Sequence, residues 1–296
     1  MAMKRILCIF RAACFSPGMV ERDEAILRAV AERLEGTHYT VEMIHEELFT
    51  PDTPMPDIVL HMTRSPRALE ILNHWETAGC RVLNSVESIC GVEREALAMQ
   101  CVKWGIPTPT TWIIPTASSL TWMAETTEKT LAPITFPCWM KRTGACAQHP
   151  EDVCFVPDAE AYCCCLSRFR TRGIDKVVVM EHLEGTAVKF YGVQGSDFFY
   201  SLSASQLGYD KWTDRSVDTQ MPSIAPDTYS GMLSHIRELF KQTRKGLPVI
   251  YGGDAIIGPD GLARLIDLND WPSFSACREE AADAIVRLVT ENTGAQ

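Results

Sequence analysis

The fold of this chain is decided by residues 251–272, YGGDAIIGPDGLARLIDLNDWP. The segment reads as two strands joined by a tight two-residue turn within GPDG, because proline presets one backbone dihedral and glycine tolerates the bend. Strand side chains alternate between the two faces, so Asp267 and Asn269 point the same way. With the turn centred on PD, Asp254 faces Leu265 and lies diagonally beside Asp267.

This predicted hairpin collects three oxygen donors on one face, which are the carboxylates of Asp254 and Asp267 and the amide of Asn269. Hard divalent cations such as Mg²⁺ take one or two carboxylates, and phosphates and water complete the shell. The alternative is a polar strand end that enters a loop, since Asp and Asn commonly end strands. The hairpin alone leaves both interpretations open, and the rest of the chain favours the metal site.

Length and charge bound the class of protein. With 296 residues, 46% of them hydrophobic, the chain can bury a substantial core and divide into two or three lobes. The net charge of −10 argues against a nucleic-acid binder held by phosphate contacts. An acidic protein that handles anions must therefore concentrate its cations in one cleft.

The cysteines and the apolar runs bear on location. None of the twelve cysteines forms a CxxC pair, and three are consecutive at 163–165, which suits neither a zinc site nor a disulfide framework. No segment approaches the roughly 18 apolar residues of a membrane span, and the N-terminal apolar run is short for a signal peptide. We predict a cytoplasmic protein with reduced thiols, without a membrane or nucleic-acid partner; a homodimer stays open.

Strands and helices alternate in the first third of the chain. Strands are predicted at residues 5–10, 41–44, 58–60 and 81–84, and helices at residues 21–34 and 66–78. This alternation indicates a parallel sheet covered by helices. A further helix is predicted over residues 85–104, with Ser85 as its cap and Gly105 at its far end.

Two more lobes follow. The second has predicted strands at residues 138–142, 153–157 and 177–181, a helix at 162–172, and a flexible polar loop at 144–149 typical of a flap that closes over a ligand. The third contains the hairpin and ends in a helix at 276–290. The prediction is an α/β chain with α+β lobes: an N-terminal parallel α/β lobe at 1–110, a central flap lobe at 111–183 and a C-terminal antiparallel-sheet lobe at 184–296.

Four segments occur in an order that resembles the ATP-grasp superfamily. They are NS at 84–85, opening a helix that ends in WGIPTP, WMK at 139–141, VVMEHLEG at 178–185 and IDLN at 266–269. Within the superfamily the chain looks most similar to the ribosomal-protein glutamate ligases, the glutathione synthetases and the inositol trisphosphate kinases. The resemblance runs from residue 57 onward and implies an ATP-grasp architecture for the three lobes.

The resemblance also implies ligands for the matching residues. Lys141 matches the strand lysine that holds the α- and β-phosphates of ATP, a task that suits a compact cation. Backbone groups of the hinge would read the adenine edge, and the hinge residues are Glu181, His182 and Leu183. Glu184 would accept the ribose hydroxyls, with a solvated glutamate as the alternative. The three oxygen donors of the hairpin match the set that binds Mg²⁺, or Mn²⁺ in its place, between the phosphates.

Four further residues are candidates for nucleotide binding or catalysis. Lys189, in VKFYGV, matches a lysine that faces the phosphates in the inositol kinases; an exposed edge charge is the alternative. Arg94 stands where many members have a lysine that contacts the nucleotide, and arginine keeps the charge but adds a planar fork. His149 in the flap loop could reach a phosphate, although a lone loop histidine is more often inert. Arg278, behind the hairpin, is a candidate for binding an anionic substrate.

Two first-lobe arginines are candidate substrate contacts. Arg11 follows the first predicted strand and Arg64 follows the third, and ligands of open α/β sheets bind at the carboxyl ends of the strands. A surface salt bridge is the alternative for Arg64.

The resemblance implies an ATP- and Mg²⁺-dependent ligase that joins a carboxylate to an amine through an acyl phosphate, on a small-molecule or peptide acceptor. Ligases of this kind usually carry arginines in the third lobe, and the region offers Lys189, Lys211 and Arg215 without an arginine pair. A kinase that phosphorylates a hydroxyl of a polyol or inositol phosphate therefore stays open, and so does a nucleotide-binding module without catalysis.

Overall fold

The computed structural model describes residues 3–117, 133–144, 147–203, 229, 231–241 and 246–291. Lys211, Arg215 and residues 145–146 of the flap loop lie outside the described residues.

The first lobe is a four-stranded parallel sheet between two helices. Its strands are β1 (Lys4–Phe10), β2 (Tyr39–His45), β3 (Ile58–His61) and β4 (Arg81–Leu83), in the order β2-β1-β3-β4. Alternate residues of β1 enter different cores, because Ile6, Cys8 and Phe10 pack with α1 (Val20–Leu34) whereas Leu7 and Ile9 pack with α2 (Pro66–Thr77). The predicted parallel α/β lobe is confirmed.

The single helix predicted over residues 85–104 is wrong, because the structure has two helices there. They are α3 (Val86–Gly91) and α4 (Arg94–Trp104). Ser85 caps α3 as predicted, accepting from the Ser88 N–H at 3.2 Å. Glu93 is extended at the break, and the Arg94 N–H donates to the Thr143 carbonyl at 3.0 Å instead of to a helical carbonyl. The break therefore ties the start of α4 to the base of the flap loop.

The central lobe is an antiparallel sheet in the order β5-β8-β6-β7. Its strands are β5 (Thr111–Pro115), β6 (Cys138–Arg142), β7 (Val153–Val156) and β8 (Lys176–Glu181). The helix α5 (Ala159–Thr171) covers one face, and the Asp158 side chain caps it by accepting from the Ala161 N–H at 2.9 Å. This lobe has its own apolar core, and β5 is a strand that the sequence analysis did not assign.

The third lobe is an antiparallel sheet in the order β10-β9-β11-β12. Its strands are β9 (Thr186–Val193), β10 (Phe199–Ser203), β11 (Ile250–Ile257) and β12 (Ala263–Asp270). Two helices accompany it, α6 (Ser234–Lys241) and α7 (Arg278–Glu291). One core includes Phe10 and Leu34 of the first lobe with Tyr191, Trp271 and Ile285 of the third. The first and third lobes therefore pack as one body, while the central lobe keeps a separate core.

Two observations concern membrane-spanning helices and the cysteines. Among the described helices, none combines the length and apolarity that a bilayer crossing requires. The cysteines in the described ranges are free thiols.

Candidate active site

The hairpin of β11 and β12 sets Asp254 directly opposite Asp267. The predicted diagonal placement, with Asp254 facing Leu265, is wrong because the register shifts twice. One shift comes from Ile266, which forms a β-bulge, so that Leu265 pairs with Ala255 and Asp267 pairs with Asp254. The carboxylates are therefore closer neighbours than the sequence analysis indicated.

The second shift lies in the turn, which has three residues instead of the predicted two. The Gly258 N–H donates to the Leu262 carbonyl at 3.1 Å, and the Gly261 N–H donates to the Gly258 carbonyl at 2.9 Å. Gly261 has a left-handed φ of 74°, which glycine adopts without strain. This is a three-residue hairpin loop that ends in a left-handed glycine.

The bulge also decides which face the carboxylates occupy. Ala263, Leu265 and Leu268 of β12 lie in the apolar core under the sheet. Because strand side chains alternate, an unbulged strand would direct Asp267 into that core beside Leu265. The extra residue moves Asp267 and Asn269 to the opposite face, where Asp254 lies.

A row of charged side chains crosses three strands on this face. Lys189 of β9 pairs with Asp254 of β11, and its Nζ lies 2.6 Å from the Asp254 Oδ1. Asp267 completes the row, and half-buried Asn269 follows it opposite Gly252. We call Lys189, Asp254 and Asp267 the charged row. Its placement agrees with the alternation expected of Lys189, whose neighbours Val188 and Phe190 lie in the core.

The donor set fits a magnesium ion. Directly opposed residues of an antiparallel pair have Cβ atoms about 4.5–5.5 Å apart, so both carboxylates can reach one ion. The described residues contain no group of three or more His, Cys, Asp or Glu side chains that could hold a metal, and Asn269 offers a third protein oxygen on the same face. Two carboxylates and an amide, with phosphate and water, are an ordinary Mg²⁺ shell.

Lys141 reaches the charged row from the central lobe. Its side chain is buried, at 2% exposure, and its Nζ donates to the carbonyl of the bulge residue Ile266 at 3.2 Å. Burial lowers the pKa of Lys141, and the charge of Arg94 lowers it further, whereas Asp267 and Asp254 act to raise it. The structure thus brings together the predicted phosphate-binding lysine and the predicted metal ligands.

Arg94 connects the flap to the charged row. Its Nη1 donates to the carbonyls of Arg142 and Gly144 at 3.0 and 2.9 Å, and its Nη2 donates to the Asp267 Oδ2 at 3.3 Å. The side chain is 6% exposed, and its buried Nε has no hydrogen-bond partner among the residues that the structure describes. Arg94, the predicted nucleotide contact, therefore lies against Asp267, a predicted metal ligand, and its guanidinium donates to protein oxygens.

The hinge is partly committed to protein contacts. The N–H groups of Glu181 and His182 donate to the carbonyls of neighbouring chain segments at 2.9 and 3.3 Å. Among the described residues, no backbone hydrogen bond outside the regular elements engages the Leu183 N–H or the carbonyls of His182 and Leu183, so these groups stay the candidates for reading an adenine edge. The His182 ring accepts from the Trp139 Nε1 at 3.0 Å, which fixes its orientation. Glu184 is exposed, as an acceptor for ribose hydroxyls requires.

The end of the flap loop is held by Asp152, which the sequence analysis missed. This fully buried carboxylate accepts from the backbone N–H groups of Gln148 and His149 at 2.7 and 3.0 Å and from the Arg172 guanidinium. Burial raises the pKa of Asp152, but these hydrogen bonds outweigh burial and hold the pKa below its ordinary value. The His149 side chain is exposed, and no described contact brings it to the charged row.

The predicted substrate contacts Arg11 and Arg64 converge on Asp270, the residue after Asn269. Arg64 donates to the Asp270 carboxylate, and the Arg11 Nη2 donates to the Asp270 carbonyl at 3.4 Å. The Arg64 and Asp270 side chains are 7% and 0% exposed, so the salt bridge is buried and the alternative of a surface pair is wrong. Both arginines lie at the carboxyl edge of the first sheet, against the end of β12.

Glu46, a second residue that the sequence analysis missed, fixes the two arginine loops. Its buried carboxylate accepts from the Ala12 N–H at 3.0 Å, beside Arg11. It also accepts from the N–H groups of Arg64 and Ser65 at 3.0 and 2.7 Å. One carboxylate thus holds the loops after β1 and β3 together.

His61 is fully buried between these loops. Its Nε2 lies 2.7 Å from the Asn84 carbonyl and its Nδ1 lies 3.0 Å from the Thr63 hydroxyl. A carbonyl can only accept, so the proton is on Nε2. Burial lowers the pKa of His61 to about 4, and the neighbouring cations Arg64 and Arg11 act in the same direction. The ring is therefore a neutral structural group at physiological pH.

Arg278 stands apart from these contacts. It begins α7 and is half-buried, and within the described part of the chain its buried Nε has no hydrogen-bond partner. In the described ranges no contact links it to the charged row. Its predicted role in substrate binding remains a prediction.

Comparison with known proteins identifies the fold. No family model and no curated protein sequence matches the chain. Solved structures match it over nearly the whole length. A RimK-domain ATP-grasp protein from Sphaerobacter thermophilus has a TM-score of 0.65 at 14% identity and covers 96% of this chain and 99% of its own. The D-alanyl-alanine synthetase A of Vibrio cholerae has a TM-score of 0.68 at 12% identity, with 98% of both chains covered.

A D-alanine–D-alanine ligase from Bacillus anthracis has a TM-score of 0.67 at 15% identity and covers 96% of this chain and 93% of its own. A structure of the D-alanine–D-alanine ligase from that organism with ATP bound is also similar, with a TM-score of 0.63 at 14% identity and coverage of 98% and 99%. The chain has the ATP-grasp fold, and the resemblance inferred from four short segments is confirmed at the level of the fold.

Proposed function

We propose that this chain is an ATP- and Mg²⁺-dependent ligase that joins a carboxylate to an amine through an acyl phosphate. The observation that carries the proposal is the charged row with Lys141 above it, at the junction of the central and third lobes. The similar solved structures described above include a D-alanyl-alanine synthetase and a D-alanine–D-alanine ligase, which favours ligation over phosphorylation of a hydroxyl. That preference is an argument from fold analogy.

Each group in the site has a chemical task under this proposal. Lys141 binds the triphosphate from the central lobe, and Lys189 binds it from the sheet below. Asp254, Asp267 and Asn269 would hold Mg²⁺, which neutralises the charge that shifts during phosphoryl transfer. The acceptor carboxylate attacks the γ-phosphorus and ADP leaves. The amine then attacks the acyl carbon, phosphate leaves, and the amine proton passes to solvent.

This chemistry requires position and charge neutralisation but no protein nucleophile. Cys138, on the same strand as Lys141, is not activated as a nucleophile, because burial raises the pKa of its thiol to about 12 and keeps it protonated. We propose that a small-molecule or peptide acceptor binds in the cytoplasm at the carboxyl edge of the first sheet. Arg11 and Arg64 lie at that edge beside the metal-binding strand.

The test is an incubation of purified protein with ATP, Mg²⁺ and pools of candidate acceptors. A ligase releases free phosphate and forms an amide, whereas a kinase leaves the phosphate on its product. Asp267→Asn should abolish turnover. Asp260→Asn is the matched control, since Asp260 lies in the exposed turn of the same hairpin and, among the contacts described, its carboxylate accepts from Arg264 and from the Leu262 N–H within that turn. Nucleotide binding without turnover for any acceptor would instead support a binding module.

A further inference from the structure

Both carboxylates of the charged row are engaged by protein cations. The Lys189 Nζ lies 2.6 Å from the Asp254 Oδ1, and the Arg94 Nη2 lies 3.3 Å from the Asp267 Oδ2. Lys141 adds a third cation, since its Nζ binds the carbonyl of the residue that precedes Asp267. Two carboxylates thus face three basic side chains.

The charge balance of this arrangement disfavours a free divalent cation. Each carboxylate is matched by one cation, so the two ion pairs sum to zero, and Lys141 adds positive charge. A divalent cation that approaches without a nucleotide has to displace both protein cations. Its repulsion from them is twice that of a monovalent ion, because the Coulomb energy is proportional to charge. A nucleoside triphosphate brings its own negative charge, which gives the displaced cations a new partner.

The two ion pairs differ in their freedom to exchange. The Lys189 side chain is 34% exposed and its carboxylate partner 16%, so this ammonium can turn on its flexible stem toward a phosphate. The Arg94 pair is more deeply buried, and its guanidinium is anchored by two carbonyls at the flap base. Lys189 is therefore the exchangeable cation and Arg94 the fixed one.

We propose that Lys189 is a stand-in cation that neutralises Asp254 until a nucleoside triphosphate arrives, so that the divalent metal enters the site only together with the nucleotide. This inference rests on the proposed function, because it assigns the same side chains to the same nucleotide. It adds a specific role: Lys189 moves from the carboxylate to the phosphates as the metal takes its place.

The experiment measures Mn²⁺ binding by solution electron paramagnetic resonance, with and without a non-hydrolysable ATP analogue. Wild type should show a saturable site only when the analogue is present. Lys189→Met should bind Mn²⁺ alone at least about tenfold more tightly than wild type, and should bind the analogue with Mn²⁺ more weakly. Lys241→Met is the matched control, because Lys241 forms an exposed pair with Glu238, at 2.5 Å on α6, and should change neither value.

A second variant fixes the location of the new site. The double substitution Lys189→Met with Asp254→Asn should lose the Mn²⁺ site gained by Lys189→Met, and Lys189→Gln should reproduce the gain. Wild type that binds Mn²⁺ alone as tightly as with the analogue would overturn the inference, as would a Lys189→Met protein with unchanged Mn²⁺ affinity. Either result leaves the proposed function standing as long as the analogue binds. Wild type that binds no analogue at all refutes the proposed function itself.

Discussion

The buried ring of His61 predicts a specific dependence of stability on pH. Burial lowers the pKa of His61 to about 4 from its ordinary value of 6.5. In the unfolded chain the ring takes up a proton as the pH falls through 6.5, whereas in the folded protein it stays neutral until about pH 4. The unfolded state thus binds more protons in this window, so stability is full above pH 6.5 and is lost as the pH falls.

The magnitude follows from the shift. A difference of about 2.5 units at 1.36 kcal/mol per unit, reduced by partial protonation of the folded state near pH 4, gives a loss of about 3 kcal/mol. Most of that loss falls between about pH 6 and pH 4, with a limiting slope of about 1.4 kcal/mol per pH unit. This is a large share of the 5–15 kcal/mol that is typical of folded domains.

The assay is urea denaturation at a series of pH values for wild type and His61→Gln. Carboxylates titrate in both proteins, so their contribution cancels in the difference between the two free energies of unfolding. We expect wild type to lose stability relative to His61→Gln by about 3 kcal/mol on acidification to pH 4. His74→Gln is the control, because His74 is exposed on α2 and should follow wild type. A pH-independent difference between wild type and His61→Gln would refute the reasoning.

Three further predictions concern packing and anchoring. Asp270→Asn leaves the Arg64 charge buried without its carboxylate and should lower the free energy of unfolding in urea by about 3–5 kcal/mol. The double change Arg64→Met with Asp270→Leu should recover most of that stability. Gly185→Ala places a Cβ 2.2 Å from the Ile257 carbonyl at a φ of 151° and should lower the melting temperature, whereas Gly231→Ala meets no atom of the described residues within 4 Å and should not. Asp152→Asn should weaken nucleotide binding and speed amide hydrogen exchange at residues 148–149, because the backbone N–H groups there lose a charged acceptor; unchanged exchange would contradict the anchoring role.

Much of the fold is readable from local sequence signals. The alternation of apolar strands with capped helices predicts the parallel first lobe, and Ser85 caps its helix as its position indicates. The hairpin is readable because its turn residues and its polar strand end coincide in one short segment. The order of four segments carries the ATP-grasp resemblance, although the solved structures compared above share only 12–15% identity with the chain.

The errors arise where a tertiary contact overrides a local pattern. The bulge at Ile266 has no sequence signal, because the mostly apolar segment LARLIDLN reads as one continuous strand. The glycine at position 261 is a usable sequence signal, because three-residue hairpin loops commonly end in a residue with left-handed φ. The break before Arg94 depends on a hydrogen bond to Thr143, which lies far away in the sequence.

Two anchoring carboxylates were missed for the same reason. Glu46 and Asp152 lie in short polar turns that look like ordinary solvated loops. Their roles come from buried hydrogen bonds to backbone N–H groups. The pair of Arg64 and Asp270 joins residues 206 positions apart, and no local pattern reports such a contact.

The measurement that tests the account most directly is isothermal titration of a non-hydrolysable ATP analogue into wild type and Asp267→Asn, each with and without Mg²⁺. The account predicts binding to wild type that strengthens with Mg²⁺ and binding to Asp267→Asn that no longer responds to the metal. Asp260→Asn should behave as wild type, and melting curves of all three proteins control for folding. If Asp267→Asn keeps the full Mg²⁺ response, the assignment of Asp254, Asp267 and Asn269 as the metal site is contradicted.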